Sequence, residues 1–446
     1  MTVDADDAIL RAFRRRFGRA LDESLAGAGQ RVLAGVSGGC DSVVLAWALR
    51  EEARARGGTV VLGHVNHGLR ADAGEDEAFV RDLAKRWEVP LEVARIDVAR
   101  AAGAEGWSRE QAGRILRLAA LEGLCRQARC PVLALGHHLD DQAETLLVRL
   151  VRGTGPRGLG GMASACWLPP AHPRQRAGES ERAAEQASGP ATDPAGEHGG
   201  HPPRERATEL AGARAAGTAH LAPIRLIRPL LGFRRAEIRE LAAAAGLAWR
   251  EDASNTDPAF LRNRIRHHLL PWLAENYNPR IVESLAELAE WQRLESEPIA
   301  RAAAEAKKRA TIPLPPAADA PSGKESRAAE TVILDGRALA REPDAVVSRV
   351  LWMAYQELAG SARSLGRRHM REMLALARRA RGSAPGEAHL PGEIRMRQRR
   401  GRLTFERHRA RPGGTAEGGG AAGETSGRAE GRPGDRRARH APPESS

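Results

Sequence analysis

A short glycine-containing loop holds residue types that could bind an anion. It lies between a predicted strand and a predicted helix and reads Ser37, Gly38, Gly39, Cys40, Asp41 and Ser42. Two glycines let the backbone approach a phosphate closely, and the amides at the start of a helix point donors at it. The serine hydroxyls add donors, and Asp41 could hold Mg²⁺ or orient a nucleotide. We therefore predict a nucleotide site here, with a tight, capped strand-to-helix turn as the alternative.

A pair of carboxylates follows the fourth predicted strand. Asp141 and Glu144 are three residues apart, so they share one helical face and can point together. Two carboxylates suit an ammonium group, although acids near a helix N-terminus are favourable without any ligand. His137 and His138 precede the pair, but with aspartate they make no convincing zinc set. We interpret these histidines as pocket wall or helix cap.

Other polar residues accompany the two motifs. His64, with Asn66 and His67, ends the second predicted strand, a common position for nucleotide contacts; a packed or capping histidine is the alternative. Arginine side chains bind phosphates with paired hydrogen bonds, and amide side chains hydrogen-bond to base edges. Both residue types are therefore expected in an RNA-binding site. The candidates are Arg114 and Arg117 in one helix, Arg152 and Arg157 in a glycine-rich loop, and Asn255, Arg262, Asn263, Arg264 and Arg266 at helical spacing. For Arg114 and Arg117 the alternative is an exposed helix face, and for the glycine-rich loop it is a simple turn. For residues 255–266 the alternative is a helix that forms salt bridges between domains.

Alternating elements must position these residues. Within the first 160 residues, apolar strand-like runs begin near residues 31, 59, 91 and 131, and a helical pattern follows each. This order predicts an α/β fold with a doubly wound parallel sheet, and ligands in such sheets bind at the carboxyl ends of the strands. The loop at 37–42 and the acidic pair are therefore expected at one edge of the sheet.

Composition shifts divide the chain. We predict a catalytic domain over 1–232, a helical linker domain over 233–311 and a small α/β C-terminal domain over 331–408. Residues 169–219 and the tail 409–446 are rich in Pro, Gly, Ser, Glu and Arg and poor in large apolar residues. Such segments cannot bury enough apolar surface to order themselves, so we expect a disordered insertion and a disordered tail.

Composition also excludes several classes of protein. The 446 residues hold four cysteines without a zinc-finger spacing, and no apolar run approaches the roughly 20 residues of a membrane span. The first residues are acidic and do not resemble a signal peptide, so we expect a cytoplasmic protein without a membrane partner. The net charge of +12 supports a nucleic-acid partner only weakly, because a bias toward Ala, Gly and Arg can also follow genome composition.

Several motifs together resemble one family. The loop at 37–42 is similar to the phosphate loop of the PP-loop (N-type) ATP-pyrophosphatase superfamily. Further segments in order resemble bacterial tRNA(Ile)-lysidine synthetases: HVNHGLR (64–70), GHHLDDQAETLLVRLVRGTGPRGLGGM (136–162), IRPLL (227–231) and EDASNTDPAFLRNRIRHHLLPWL (251–273). The resemblance covers about 30–165 and 223–275 and is fainter over 345–407.

The resemblance implies a two-step ligation that forms a C–N bond. ATP, with Mg²⁺, adenylates the carbonyl oxygen of the wobble cytidine in a CAU anticodon. The ε-amine of L-lysine then displaces AMP, and decoding changes from AUG to AUA. The implied catalytic residues are Asp41, Arg114, Asp141 and Glu144, with ATP held by residues 37–42 and His64, lysine by Asp141 and Glu144, and Mg²⁺ by Asp41. The implied tRNA contacts are Arg117, Arg152, Arg157, Arg262, Asn263 and Arg266.

Two departures and two alternatives accompany this expectation. The family pattern Ala-Arg-x-x-Arg-Tyr reads here with Gly113 and Leu118, which puts a stacking role at that point in doubt. We also expect the second C-terminal domain of longer members to be absent. The alternatives are a PP-loop tRNA sulfurtransferase, which Cys125 and Cys130 fit poorly, and a non-catalytic RNA-binding protein. The oligomeric state stays open, with a homodimer as one option.

Overall fold

A six-stranded sheet organises the first part of the chain. The computed structural model describes residues 2–25, 31–67, 73–105, 109–168, 222–251, 257–313, 331–359, 365–379 and 385–407. The strands of this sheet are β1 (Arg31–Gly35), β2 (Thr59–Asn66), β3 (Leu91–Arg95), β4 (Val132–Ala134), β5 (Ala165–Trp167) and β6 (Arg225–Ile227). The helices of this part are α1 (Thr2–Ser24), α2 (Cys40–Arg56), α3 (Ala73–Trp87), α4 (Val98–Glu105), α5 (Arg109–Gln127), α6 (Leu139–Val151) and α7 (Pro156–Leu159).

The strand order confirms the predicted doubly wound α/β sheet. The order is β3-β2-β1-β4-β6-β5, and all neighbours are parallel except β5, which runs antiparallel to β6. The order reverses between β1 and β4, so the connections leaving these two strands diverge and open a crevice at their carboxyl ends. The loop at 37–42 follows β1, and His137 and His138 follow β4. The topology therefore places both predicted motifs at the crevice.

Alternate residues of β1 point to the two faces of the sheet. Val32 and Ala34 join a core formed with α1, α2 and α3, whereas Leu33 joins the opposite core with α5. This alternation is the period of two expected of a strand covered by helices on both faces. The helix α1 was not predicted from the sequence, and its Phe13 and Phe17 complete the first core.

The segment after β6 contributes to the same core before it leaves the sheet. Its helix α8 (Arg235–Ala244) buries Ile238 and Leu241 against the core that contains α1 and α2. The predicted boundary at residue 232 would separate this helix from α1 and α2, against which it packs. We therefore propose that the catalytic domain extends to about residue 250.

A long helix connects two separate cores. After α9 (Leu261–Arg264), a π-helical turn (Ile265–Leu269) and α10 (Leu270–Asn276), helix α11 runs over Ile281–Ala310. Its first turns bury Val282 beside Ala143 of α6. Its last turns bury Ala303, Ala306 and Ala310 in the C-terminal core.

That C-terminal core lies under a second sheet. The strands are β7 (Thr331–Asp335), β8 (Gly386–Leu390), β9 (Ile394–Arg399) and β10 (Arg402–Arg407), in the antiparallel order β7-β10-β9-β8. The helices are α12 (Gly336–Leu339), α13 (Asp344–Ala359) and α14 (Arg367–Arg378). The small mixed α/β unit predicted near 331–408 is therefore present.

Some expectations lie outside the described residues. These are the disordered insertion at 169–219, the disordered tail at 409–446 and the contact predicted for Asn255. Within the described ranges, no helix is long and apolar enough to span a membrane.

Candidate active site

The loop after β1 is held in shape by its own two serines. The Ser42 hydroxyl donates to the carbonyl of Gly39 at 2.8 Å and accepts from the Ser37 amide at 3.1 Å. Gly38 has φ +96°, a conformation that side-chain-bearing residues rarely adopt, and Gly39 caps α2. The loop is therefore a preformed backbone cradle at a helix N-terminus, as its proposed phosphate role requires.

Gly136 brings the end of β4 against this loop. A Cβ at Gly136 would lie 3.0 Å from the Asp41 carbonyl oxygen and 3.3 Å from the Ser42 Cα. Both neighbours are backbone atoms, which cannot move aside as a flexible side chain can. Glycine is therefore required at position 136, because the backbone at the start of α2 passes directly over this residue.

Three polar atoms of the crevice are buried without a hydrogen-bond partner among the described residues. They are Oδ1 of Asp41, Nε2 of His64 and Nδ1 of His137. His64 directs its other ring nitrogen to the Val36 carbonyl at 2.9 Å, which fixes the ring and leaves Nε2 as an acceptor. Unsatisfied buried polar atoms are costly, so each of these atoms is a candidate contact for a ligand or an ion.

His138 joins the loop to the acidic helix. It caps α6: its Nδ1 accepts from the Asp141 amide at 3.3 Å, and Asp141 Oδ2 accepts from the His138 amide at 3.1 Å. Its Nε2 lies 3.6 Å from Asp41 Oδ2 and 3.5 Å from Asp141 Oδ2. Burial disfavours the charged ring, but Asp41, Asp141 and Asp140 outweigh it and raise the pKa of His138. The helix-cap interpretation of His138 therefore agrees with its geometry.

Arginines cover the predicted ammonium receptor. Glu144 is 1% exposed and accepts from Arg262 Nε at 2.6 Å and from Arg266 Nε at 2.5 Å. Asp141 Oδ1 accepts from the Arg262 guanidinium at 2.7 Å. Burial alone would raise the pKa of Asp141, but His138 and Arg262 lower it to about 2. The carboxylates predicted to bind lysine and the arginines predicted to bind tRNA are therefore in direct contact.

The remaining predicted tRNA residues lie in different surroundings. Arg117 is exposed on α5, Arg152 is exposed beyond α6 near Glu110, and the side chain of Arg157 lies outside the described residues. Asn263 is buried and donates to the Asp257 carbonyl at 2.9 Å, so it also holds the segment that precedes α9.

Arg114 borders a cationic pocket of about 200 Å³ beside Glu144. The pocket is lined by Glu110, Arg114, Thr145, Val148, Arg149, Arg152, Gly153, Thr154 and Arg262. Desolvation lowers the pKa of Arg114, and the charges of Arg262 and Arg228 lower it further. Like charges this close together disfavour one another, so the pocket is suited to an anion. Sequence reasoning missed Arg149 and Arg228, although Arg228 lies within the motif IRPLL.

Three of the four cysteines are buried, and Cys166 is exposed. Cys40, Cys125 and Cys130 are buried, and burial raises the pKa of Cys125 to about 12. Thiols of this kind are poorly reactive because the thiolate is the nucleophile. Across the described ranges, no group of three or more His, Cys, Asp or Glu side chains could hold a metal ion.

Comparison with known proteins gives one consistent family. A family model described as a PP-loop domain matches residues 10–174 and 204–273. A tRNA(Ile)-lysidine synthase from Symbiobacterium thermophilum is 33% identical over 390 residues, which are 87% of this chain and 68% of that protein. One from Salinispora arenicola is 33% identical over 399 residues, which are 88% of this chain and 95% of that protein. One from Geobacter sulfurreducens is 37% identical over 263 residues, which are 59% of this chain and 44% of that longer protein.

Proposed function

Because this chain belongs to the PP-loop tRNA(Ile)-lysidine synthase family, we propose that it uses ATP to join L-lysine to the wobble cytidine of tRNA(Ile) with a CAU anticodon. One structural observation carries the proposal. Asp41 of the phosphate loop and Asp141 of α6 both lie within 3.6 Å of His138 Nε2, and Asp141 shares the guanidinium of Arg262 with Glu144. Adenylation and amine transfer need an anion site and a cation site side by side, and the closeness of Asp41 and Asp141 to one histidine supports that arrangement.

In the first half-reaction, the cytidine carbonyl oxygen attacks the α-phosphorus of ATP and pyrophosphate leaves. The backbone of Gly38 and Gly39 and the N-terminus of α2 would hold the phosphates, as their geometry suits an anion. The orphaned Asp41 Oδ1 fits a hard cation, so Asp41 would hold Mg²⁺, which neutralises phosphate charge when bound. His64 Nε2 would accept a hydrogen bond from the nucleotide.

In the second half-reaction, lysine loses a proton to solvent, the neutral ε-amine attacks the adenylated carbon, and AMP leaves with the oxygen. A carboxylate with a pKa near 2 is a weak base, so Asp141 would bind the positive charge of lysine rather than remove its proton. The receptor is saturated by Arg262 and Arg266 in this structure. A lysine ammonium would take the place of one guanidinium, and that guanidinium would then serve the anionic RNA or AMP. Arg114 would face the same anions from the neighbouring pocket.

The wider tRNA contacts are part of the same proposal. Arg117, Arg152 and Arg157 would meet tRNA phosphates beside the crevice, and the C-terminal unit of residues 331–407 would bind tRNA farther from it. A sulfurtransferase is not favoured, because Cys125 and Cys130 are buried in an apolar core away from the crevice.

Lysine incorporation tests the proposal directly. The full chain is incubated with ATP, Mg²⁺, radiolabelled lysine and a tRNA(Ile) transcript with a CAU anticodon. A tRNA(Met) transcript with the same anticodon is the matched control. We expect ATP-dependent label on tRNA(Ile), with AMP and pyrophosphate released, and little label on tRNA(Met). Absence of lysine from the tRNA, or label arriving instead from a sulfur donor, contradicts the proposal.

A further inference from the structure

Two large aromatic rings lie exposed on α10 and directly after it. Trp272 is 50% exposed and Tyr277 is 70% exposed. Their ring centroids are 4.9 Å apart with an angle of 58° between the planes. An exposed tryptophan and tyrosine that contact each other form an apolar patch at the surface, and contiguous exposed apolar patches are typical of binding sites.

Basic side chains lie near this aromatic pair along the chain. Arg264, His267 and His268 are exposed on the same helical run, and the exposed Arg280 follows Tyr277. The exposed acidic residues of the described range 257–280 are Asp257 and Glu275, while Arg262 and Arg266 are already paired with Asp141 and Glu144. Flat rings beside cations match a polyanion whose bases can stack, which is a description of unpaired RNA.

A second exposed tryptophan provides the contrast. Trp291 on α11 is 66% exposed, but its neighbours on that exposed face include Glu287, Glu290 and Glu295. The negative charge around Trp291 would repel phosphate. Of these two exposed tryptophans, only Trp272 therefore has a setting suited to RNA.

The aromatic pair belongs to the helical run that reaches the candidate active site. Arg262 and Arg266 point from this run to Asp141 and Glu144. Between Arg262 and Trp272 the helix has a π-turn, Ile265–Leu269, which changes the facing of successive residues. The run can thus direct guanidiniums inward to α6 and rings outward to solvent.

We propose that Trp272 and Tyr277 are a stacking platform for an unpaired nucleotide of the tRNA substrate. The proposal rests on the proposed function, because it assumes that tRNA is bound. A stacked base here would orient an RNA strand along the helix that carries Arg262 and Arg266. Stacking tolerates any base, so the platform contributes affinity and position rather than sequence discrimination.

Equilibrium binding of the tRNA(Ile) transcript to the full chain tests the platform. We expect Trp272→Ala to raise the Kd about 10-fold, the range typical of losing one stacked base, and Tyr277→Ala to act in the same direction. Trp272→Phe should stay close to wild type because it keeps a ring, and Trp291→Ala is the matched control with no effect. The slope of log Kd against log salt should not change, because no phosphate contact is lost. Circular dichroism checks that each variant is folded. If Trp272→Ala does not fold, the Kd of Tyr277→Ala tests the platform instead.

Three results would overturn the platform. They are a Kd for the folded variant within twofold of wild type, an equal loss in Trp291→Ala, or a change in oligomeric state that accounts for the loss. Failure of the wild-type chain to bind tRNA or transfer lysine would instead contradict the proposed function. The two failures are therefore distinguishable.

Discussion

Replacing Glu144 with glutamine tests whether the arginine–carboxylate network holds the candidate site together. The side chain is 1% exposed and accepts three charge-assisted hydrogen bonds from two guanidiniums, at 2.5, 2.6 and 2.9 Å. Glutamine keeps the size and one acceptor oxygen, but it removes the charge and turns an NH₂ group toward Arg262 or Arg266. Two guanidiniums then compete for Asp141 alone.

The expected loss is about 2–3 kcal/mol in the free energy of unfolding. Removing one partner of a fully buried ion pair costs about 3–5 kcal/mol. Here the side chains of Arg262 and Arg266 are 31% and 15% exposed, so water can rehydrate part of their charge and the value falls below that range. The double variant Glu144→Gln/Arg266→Met should lose less than the sum of the single variants, by about 1–2 kcal/mol, because the two residues interact directly.

Urea unfolding followed by tryptophan fluorescence measures these values. Glu372→Gln is the matched control, because Glu372 pairs with Arg368 on the exposed face of α14, and no measurable loss is expected there. If Glu144→Gln is no less stable than Glu372→Gln, or if the double variant is strictly additive, the network does not stabilise the fold as argued. In lysine transfer, Glu144→Gln should mainly raise the lysine KM; an unchanged KM would contradict the receptor assignment.

Three further outcomes follow from the geometry. Asp41→Asn should abolish AMP formation while the melting temperature stays near wild type, and retained AMP formation would contradict its proposed ion-binding role. Gly136→Ala should raise the ATP KM about 10-fold or more, because the new Cβ meets the Asp41 backbone at 3.0 Å; Gly123→Ala, with open space in α5, should stabilise by up to about 1 kcal/mol. Burial lowers the pKa of His137 to about 4, so the unfolded chain binds more protons between about pH 4 and 6.5. The melting temperature should therefore fall as pH drops through that window, and His137→Asn should flatten the curve; an equally steep fall in the variant would exclude His137 as the cause.

Local sequence was sufficient for the first four strands of the sheet and for the loop at 37–42. The loop at 37–42 is built from its own residues, since Ser37, Gly39 and Ser42 bond to one another. The parallel order of β1, β2, β3 and β4 follows from alternating strands and helices, because right-handed crossovers leave few arrangements. Helix α1 escaped prediction because its charged residues obscure the face on which Phe13 and Phe17 pack.

Contacts between residues that are far apart in the sequence could not be predicted from local sequence. Glu144 and Arg262 are 118 positions apart, and nothing in either motif indicates that one neutralises the other. The contrast between Trp272 and Trp291 also needed the fold, because exposure decides whether a tryptophan belongs to a core or to a surface.

The sequence by itself determined which chemical groups this protein carries and which of them follow parallel strands. That information is local, because turn, cap and strand preferences depend on near neighbours in the chain. Only the tertiary structure decided which charges face each other, that Arg262 and Arg266 cover Asp141 and Glu144, and that Asp41 Oδ1 lacks a partner among the described residues. The physical reason is that desolvation and Coulomb energy depend on distance in space, which chain position does not specify.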